Sequence, residues 1–269
     1  MFLRLRHRLV SGSIKNVQNL LYGLYSKVLE RNLSKEDMPK HIGVMVDGNR
    51  RWAKVQGFEA AGQGHAAGAK KIIECLLWCS DLGVKHVTLY LLSTDNLKGR
   101  TSQELTELLD IIVSMSEELA DIGLWKLQMV GDKEALPASA IGRLAAVENA
   151  TNGNSGTHVN LAIAYGGRKE IADAMRDILR KHSKDGSTVD QLAEVMTPEL
   201  IAEHLYTGGQ PDPDLLIRTS GEQRLSGFLL WQSANSEFYF AEALWPDFRR
   251  VDFLRALRDF QGRHRRYGS

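Results

Sequence analysis

HIGVMVDGNRRWAK, residues 41–54, decides how the rest of this chain reads. A short apolar run, Ile42 to Val46, ends abruptly in Asp47, Gly48 and Asn49, and Arg50, Arg51 and Trp52 follow at once. A run of this length bounded by turn residues reads as a buried strand, although length by itself does not separate it from a helix. Gly48 supplies the backbone freedom for a sharp strand-to-helix turn. A helix starting there points free N–H groups and a positive dipole end at whatever lies above the strand. Two guanidiniums beside that end strengthen an anion site. Asp47 then places one carboxylate in a pocket otherwise built for negative charge. A divalent cation shared between that carboxylate and a phosphate resolves the conflict. The plainer reading is a helix cap, which Asp and Asn favour. The stretch alone leaves the two open.

Outward from this turn the pattern alternates. Before it, residues 1–40 carry Arg4, Arg6, Arg8, Lys15 and Lys27 ahead of the first acid, Glu30. Between Ile14 and Leu33, Val17, Leu20, Leu21, Leu24 and Val28 follow helical spacing. This basic amphipathic arm suits an anionic membrane surface, its own domain or a second subunit equally. After it, residues 57–83 read as one long helix, 85–93 as a strand closed by Thr94, Asp95 and Asn96, and 101–122 as a helix. Strand 125–131, helix 138–150 and strand 157–168 follow, then helices at 169–182 and 197–206. Strand-like runs at 214–222, 227–231 and 237–241 precede a last helix at 251–263. Strands alternating with helices predict an α/β domain, residues 41–269, with a central, mostly parallel sheet and helices on both faces. Four polar turns, carrying Asp47, Asn96, Arg168 and Arg218, each follow an apolar run. In an open parallel sheet, ligands bind at the carboxyl ends of the strands, so these turns are expected to converge on one cleft.

Composition narrows the classes. The net charge is +1 and 43% of the 269 residues are hydrophobic, the balance of a soluble globular protein with no signal for nucleic acid. No apolar run approaches the roughly 20 residues that span a bilayer, and the N-terminus lacks a signal peptide's apolar core. Cys75 and Cys79, one helical turn apart without His or Cys neighbours, read as buried thiols rather than a zinc site. A cytoplasmic protein is expected. GQGHAAG (62–68) superficially resembles a dinucleotide fingerprint, the feature behind an oxidoreductase reading. Its glycines lie outside the strand's own turn, and small residues that permit close helix packing explain them better. Arg218, Arg224 and Ser226 surround a glycine turn, and two arginines with a hydroxyl suit a second diphosphate.

DGNRRWAK, YLLSTDNL, YGGR, IRTSGEQRLSGFLLWQ with SEFYF, LWPDF and the terminal RYG occur here in one order. Together they resemble the motif series of the cis-prenyltransferases, the undecaprenyl diphosphate synthase-like Z-isoprenyl diphosphate synthases, over about residues 41–269. The resemblance implies that isopentenyl diphosphate is condensed onto an allylic diphosphate to form a cis double bond with Mg²⁺. It makes Asp47 the metal-holding carboxylate and Glu237 a carboxylate near the metal. Gly48, Asn49, Arg50, Arg51 and Trp52, with His65, Thr94 and Arg100 nearby, match the allylic diphosphate site. Arg218, Arg224 and Ser226 match the isopentenyl diphosphate site. Ser93 and Asn96 match the pair beside the reacting carbons, where Asn96 assists proton removal. Arg266 and Gly268 belong to a motif that reaches across a homodimer interface. Departures stand out: Glu59, Ala60 and Ala61 occupy a segment where the family has an arginine, Leu97 replaces a tryptophan, and Gly99 displaces an arginine to Arg100.

Leu91 stands where long-chain members have Ala, in the wall that receives the growing chain. Its extra carbons amount to roughly half an isoprene unit, a bulk that a packed interior does not absorb. With Leu92 alongside, chain growth is expected to stop early, as in the (2Z,6E)-farnesyl diphosphate synthases, which extend geranyl diphosphate once. A medium- or long-chain polyprenyl diphosphate synthase is the alternative. A non-catalytic partner subunit is disfavoured by the presence of both Asp47 and the terminal RYG.

Overall fold

The structure is a computed structural model that describes residues 22–263. Arg266, Gly268 and the first half of the N-terminal arm therefore lie outside the described residues. Residues 39–247 form one compact unit, and residues 22–38 with 248–263 form another.

Six strands build the larger unit: β1 (His41–Met45), β2 (His86–Ser93), β3 (Lys126–Val130), β4 (His158–Tyr165), β5 (Leu215–Arg218) and β6 (Glu237–Phe240). They form one sheet in the order β3-β4-β2-β1-β5-β6, and every pairing is parallel. Parallel strands are covered on both faces and read as continuous apolar runs. β1 is buried throughout, and β4 is buried from Val159 onward. The helices are α1 (22–31), α2 (Asn49–Val55), α3 (Ala61–Asp81), α4 (Thr94–Gly99), α5 (Ser102–Ile122), α6 (Ala138–Thr151), α7 (Gly167–Lys184), α8 (Val189–Val195), α9 (Pro198–Glu203) and α10 (Arg250–Gly262). α5 shows why such segments start and stop where they do. The Thr101 hydroxyl accepts from the Glu104 N–H at its start, and Gly123, at φ 74°, closes its end.

Three expectations change. The helix read over 57–83 is shorter at its start: α3 runs from Ala61 to Asp81, and residues 57–60, with Gly57 at φ 80°, form the turn that separates it from α2. GFLLW (227–231) is a turn, not a strand. Ser226, Gly227 and Leu229 have φ of 49°, 76° and 45°, which no strand tolerates. Its apolar character has another use, because Phe228 and Leu229 are fully buried in a cluster with Met45, Tyr165 and Leu216. α8 lies between the helices read at 169–182 and 197–206, where the residue pattern assigns no element, and is nucleated by a capping box between Thr188 and Gln191.

The smaller unit turns the amphipathic stripe of the arm. Leu24 and Val28 are exposed, whereas Leu29 and Leu33 are buried. Arg249 stacks over the Tyr22 ring at 4.1 Å, Arg250 pairs with Glu30 at 3.2 Å, and the Gln261 amide bonds both backbone groups of Ser34. Residues 22–38 thus pack with α10, one of the three placements the arm's pattern left open.

At the amino end of the sheet, His41, His86 and His158 stand in register on β1, β2 and β4. The His41 Nδ1–H donates to the Pro211 carbonyl at 2.7 Å, so its Nε2 accepts from the Thr88 hydroxyl at 2.8 Å. Burial pushes the His41 pKa down to about 4. Burial and the neighbouring His86 do the same to His158.

Candidate active site

A cleft of about 390 Å³ opens at the carboxyl ends of β2, β1 and β5, three neighbouring strands of the sheet. Asp47, Gly48, Asn49, Arg50 and Arg51 come from the β1–α2 turn, Ser93, Asn96 and Arg100 from the end of β2 onward, and Arg218, Arg224 and Ser226 from the end of β5. His65 reaches it from α3. Three of the four polar turns therefore converge as expected. The fourth does not, since Arg168 is exposed and absent from the cleft wall. The Gly167 N–H donates to the Gly227 carbonyl at 2.9 Å, so the apolar turn at 227–229 seals the end of β4 from the cleft.

Asp47 is fixed before its side chain is used. Its N–H donates to the Thr219 hydroxyl at 3.0 Å, and its carbonyl accepts from Thr219 Oγ1 at 2.7 Å and the Trp245 N–H at 3.0 Å. Gly48 follows at φ 109°, a turn only glycine makes cheaply, with Leu244 pressed against the place a Cβ would occupy. The Asp47 carboxylate accepts from Arg218 Nη2 at 2.8 Å and lies 3.8 Å from Arg51 Nη2. α2 has only seven residues, so the positive character here comes from guanidiniums and much less from a helix dipole.

Arg218 is buried, and its Nη1 donates to the Arg224 carbonyl and to Ser226 Oγ, the latter at 3.1 Å. Arg224 itself pairs with Glu222. Across the cleft, Arg100 donates to His65 Nε2 at 3.2 Å and pairs with Glu104 at 3.4 Å. Burial and the guanidiniums of Arg100 and Arg50 hold the His65 pKa near 4, so its imidazole is neutral and accepts. Ser93 Oγ accepts from the Asn96 N–H at 3.0 Å, capping α4 and fixing that pair.

Other site expectations are placed differently. Thr94 and Trp52 do not line the cleft. Thr94 packs against Gly166, and Trp52 tilts onto Phe58 at 5.9 Å. Glu237 opens β6 level with Leu215 and, through it, Ile42, at the amino end of the sheet. Asp47 lies beyond the opposite end of the same strands, so one chain does not bring the two carboxylates together. Among the described residues no three His, Cys, Asp or Glu side chains cluster as metal ligands. One carboxylate in a cleft lined by guanidiniums fits a Mg²⁺ ion carried largely by phosphate oxygens and water.

The far wall is apolar. Leu91 and Leu92 face Ile72 of α3 and Leu108, Ile111, Ile112 and Met115 of α5 around the cleft. Leu91 is the extra residue of a β-bulge: Tyr90 pairs with Ala162 and Leu92 with Ile163. Bulges re-aim side chains, and this one brings Leu91 to the cleft wall. α5's apolar spacing was legible, but not that one part of that face would line a cavity. Tyr90 also lines the cleft, stacks on Phe228 at 4.7 Å and donates to the Ser226 carbonyl at 3.3 Å. Nothing in the residue order marks its role. The glycine cluster proves to be a packing device. A Cβ on Gly64 would lie 2.1 Å from the Asn49 carbonyl oxygen, and one on Gly68 2.3 Å from Asn49 Oδ1.

A parallel sheet bearing a cationic cleft with an apolar wall is the architecture of a prenyl diphosphate-binding enzyme. The family model described as "Putative undecaprenyl diphosphate synthase" matches residues 45–268, and the chain belongs to this cis-prenyltransferase family. It is 53% identical to a (2Z,6E)-farnesyl diphosphate synthase of Mycolicibacterium smegmatis, over 92% of this chain and 95% of that protein. It is also 53% identical to isoprenyl transferase 1 of Streptomyces avermitilis, over 94% of this chain and 98% of that one. A crystal structure of lavandulyl diphosphate synthase from Lavandula x intermedia, in complex with dimethylallyl diphosphate, superposes with a TM-score of 0.81. The two are 34% identical, and the match covers 87% of this chain and all of that one.

Proposed function

We propose that this chain is a Mg²⁺-dependent short-chain cis-prenyltransferase that joins isopentenyl diphosphate to geranyl diphosphate and releases (2Z,6E)-farnesyl diphosphate. The observation that carries the reading is a single cleft with guanidiniums and one carboxylate at its mouth and Leu91, Leu92 and Met115 in its wall. The names of the relatives support the same product.

In this reading Arg50 and Arg51 hold the allylic diphosphate, with Arg100 oriented by neutral His65. Arg218, Arg224 and Ser226 hold the second diphosphate. Asp47 would hold a Mg²⁺ ion, which would neutralise charge on the departing diphosphate. The allylic C1–O bond breaks, a C–C bond forms from C4 of isopentenyl diphosphate to that C1, and the C2 proton leaves as the cis double bond forms. Guanidiniums already in place stabilise the leaving charge without reorganising. The apolar wall keeps water from the allylic cation. Ser93 caps the turn that carries Asn96, whose side-chain amide assists removal of the C2 proton. The functional form is a homodimer in the cytoplasm, with the N-terminal arm against the inner face of the cell membrane. Cell fractionation of full-length and arm-deleted protein tests that placement.

Purified protein is incubated with Mg²⁺, labelled isopentenyl diphosphate and geranyl, farnesyl or geranylgeranyl diphosphate in turn. A single C15 product from the geranyl primer supports the reading. A ladder of long products establishes the polyprenyl alternative, and no incorporation overturns both.

A further inference from the structure

Two serines in the loop after β5 hold a backbone conformation that glycine would hold more cheaply. Ser220 has φ 77° and Ser226 has φ 49°, in the left-handed region where a Cβ crowds the following carbonyl. Such residues persist only where their surroundings over-determine them, and they concentrate at functional sites. In both serines the hydroxyl accepts from a guanidinium that lines the cleft. Ser226 Oγ takes Arg218 Nη1 at 3.1 Å. Ser220 Oγ takes Arg51 Nη2 at 2.5 Å, and the Ser220 carbonyl takes Arg51 Nη1 at 3.4 Å. Ser226 lies in the cleft wall, but Ser220 is buried and does not touch the cleft.

Ser220 is well anchored. Its N–H donates to the Ala243 carbonyl at 2.8 Å, and the next N–H, from Gly221, donates to Ala241 at 2.9 Å. Arg51 is not. Its side chain is half exposed, and its carboxylate neighbours Asp47 and Glu222 stand at 3.8 and 3.7 Å, beyond hydrogen-bond length. Among the described residues its hydrogen bonds go to Ser220. A long, half-exposed arginine held only by distant charges samples many rotamers, whereas two fixed acceptors define one plane for its fork.

We propose that Ser220 is a positioning residue that aims Arg51 at the allylic diphosphate. It does so from the loop that also carries Arg218, Arg224 and Ser226, so one rigid segment sets the spacing of both diphosphate subsites. The inference rests on the proposed function and deepens it. Glycine would fit this backbone without strain but has no hydroxyl to offer the guanidinium.

The test is a comparison of Ser220→Gly, Ser220→Ala and Arg51→Ala with the unaltered enzyme. Ser220→Gly removes the strain and the hydroxyl together, whereas Ser220→Ala removes only the hydroxyl. The expected results are a melting temperature for the glycine variant at or above that of the alanine variant, and a KM for the allylic diphosphate raised about 3- to 10-fold in both. The KM for isopentenyl diphosphate and kcat should each change less than about twofold. Adding Ser220→Gly to Arg51→Ala should have no further effect, because the serine acts through the arginine. An unchanged allylic KM in the glycine variant overturns the inference, as does full additivity in the double variant. If the unaltered protein makes no product, the proposed function fails by itself. Calorimetric binding of inorganic diphosphate then decides, with weaker binding in Ser220→Gly supporting the inference and equal binding overturning it.

Discussion

Truncating the apolar wall should lengthen the product, and the atoms involved give the size of the effect. Leu91, the bulged residue of β2, and Met115 of α5 line the same cleft. Each loses about three heavy atoms on replacement by alanine, whereas one more isoprenyl unit brings about five carbons. Leu91→Ala alone opens room for little more than half a unit and should give mainly C15 with a minor C20 fraction. Leu91→Ala with Met115→Ala vacates space for a whole unit. Burying those carbons is worth about 4 kcal/mol at ~0.8 kcal/mol per methylene, enough to make C20 the main product. The stability cost is unequal. Met115 is 3% exposed and should cost about 2–4 kcal/mol, while half-buried Leu91 should cost about 1–2 kcal/mol. The assay is extraction and sizing of dephosphorylated products from labelled isopentenyl diphosphate and geranyl diphosphate, alongside a thermal melt. A folded, active double variant that still makes only C15 would falsify the wall argument and move chain-length control to product release.

Asp47→Asn keeps the shape of the side chain and removes its charge; kcat should fall by at least ~10²-fold with an unchanged circular dichroism spectrum, and retained turnover would refute the metal-holding role. Gly64→Ala sets a Cβ against the Asn49 carbonyl, so α2 and α3 must part. It should lower stability by about 1–3 kcal/mol and raise the allylic KM, as thermal melts and steady-state kinetics would reveal. Stability should also depend on acid through His41. Its folded pKa is depressed to about 4, so the unfolded chain binds the extra proton first. The contribution is complete above about pH 6.5 and is lost as pH falls toward 4, by up to about 3 kcal/mol. Melts between pH 7 and 4.5 should show this slope and a shallower one in His41→Gln; identical slopes would exclude His41 as the source.

Residue order alone carried the strand–helix alternation, the Asp47 turn and the arginine-rich loop after β5. These are local properties: an apolar run fixes burial, a glycine fixes a turn, and charge at a strand end fixes which face meets a ligand. The same local signals misplaced GFLLW, because positive φ at Ser226 and Leu229 outweighs the β-propensity of an apolar run. They also placed Arg168 with the cleft, although a turn from a distant segment closes that strand end. Glu237 read as a partner of Asp47, yet strand register, which propensity does not encode, sets it at the other end of the sheet.

Local chemistry alone placed Asp47 and Arg218 in polar turns at strand ends, since composition and turn chemistry act over a few residues. Tertiary structure alone decided that Leu91 bulges into the cleft, that Tyr90 braces Ser226, and that Ser220 grips Arg51. Each of these joins residues far apart in the chain, and only packing of the whole sheet and its loops settles which of them meet.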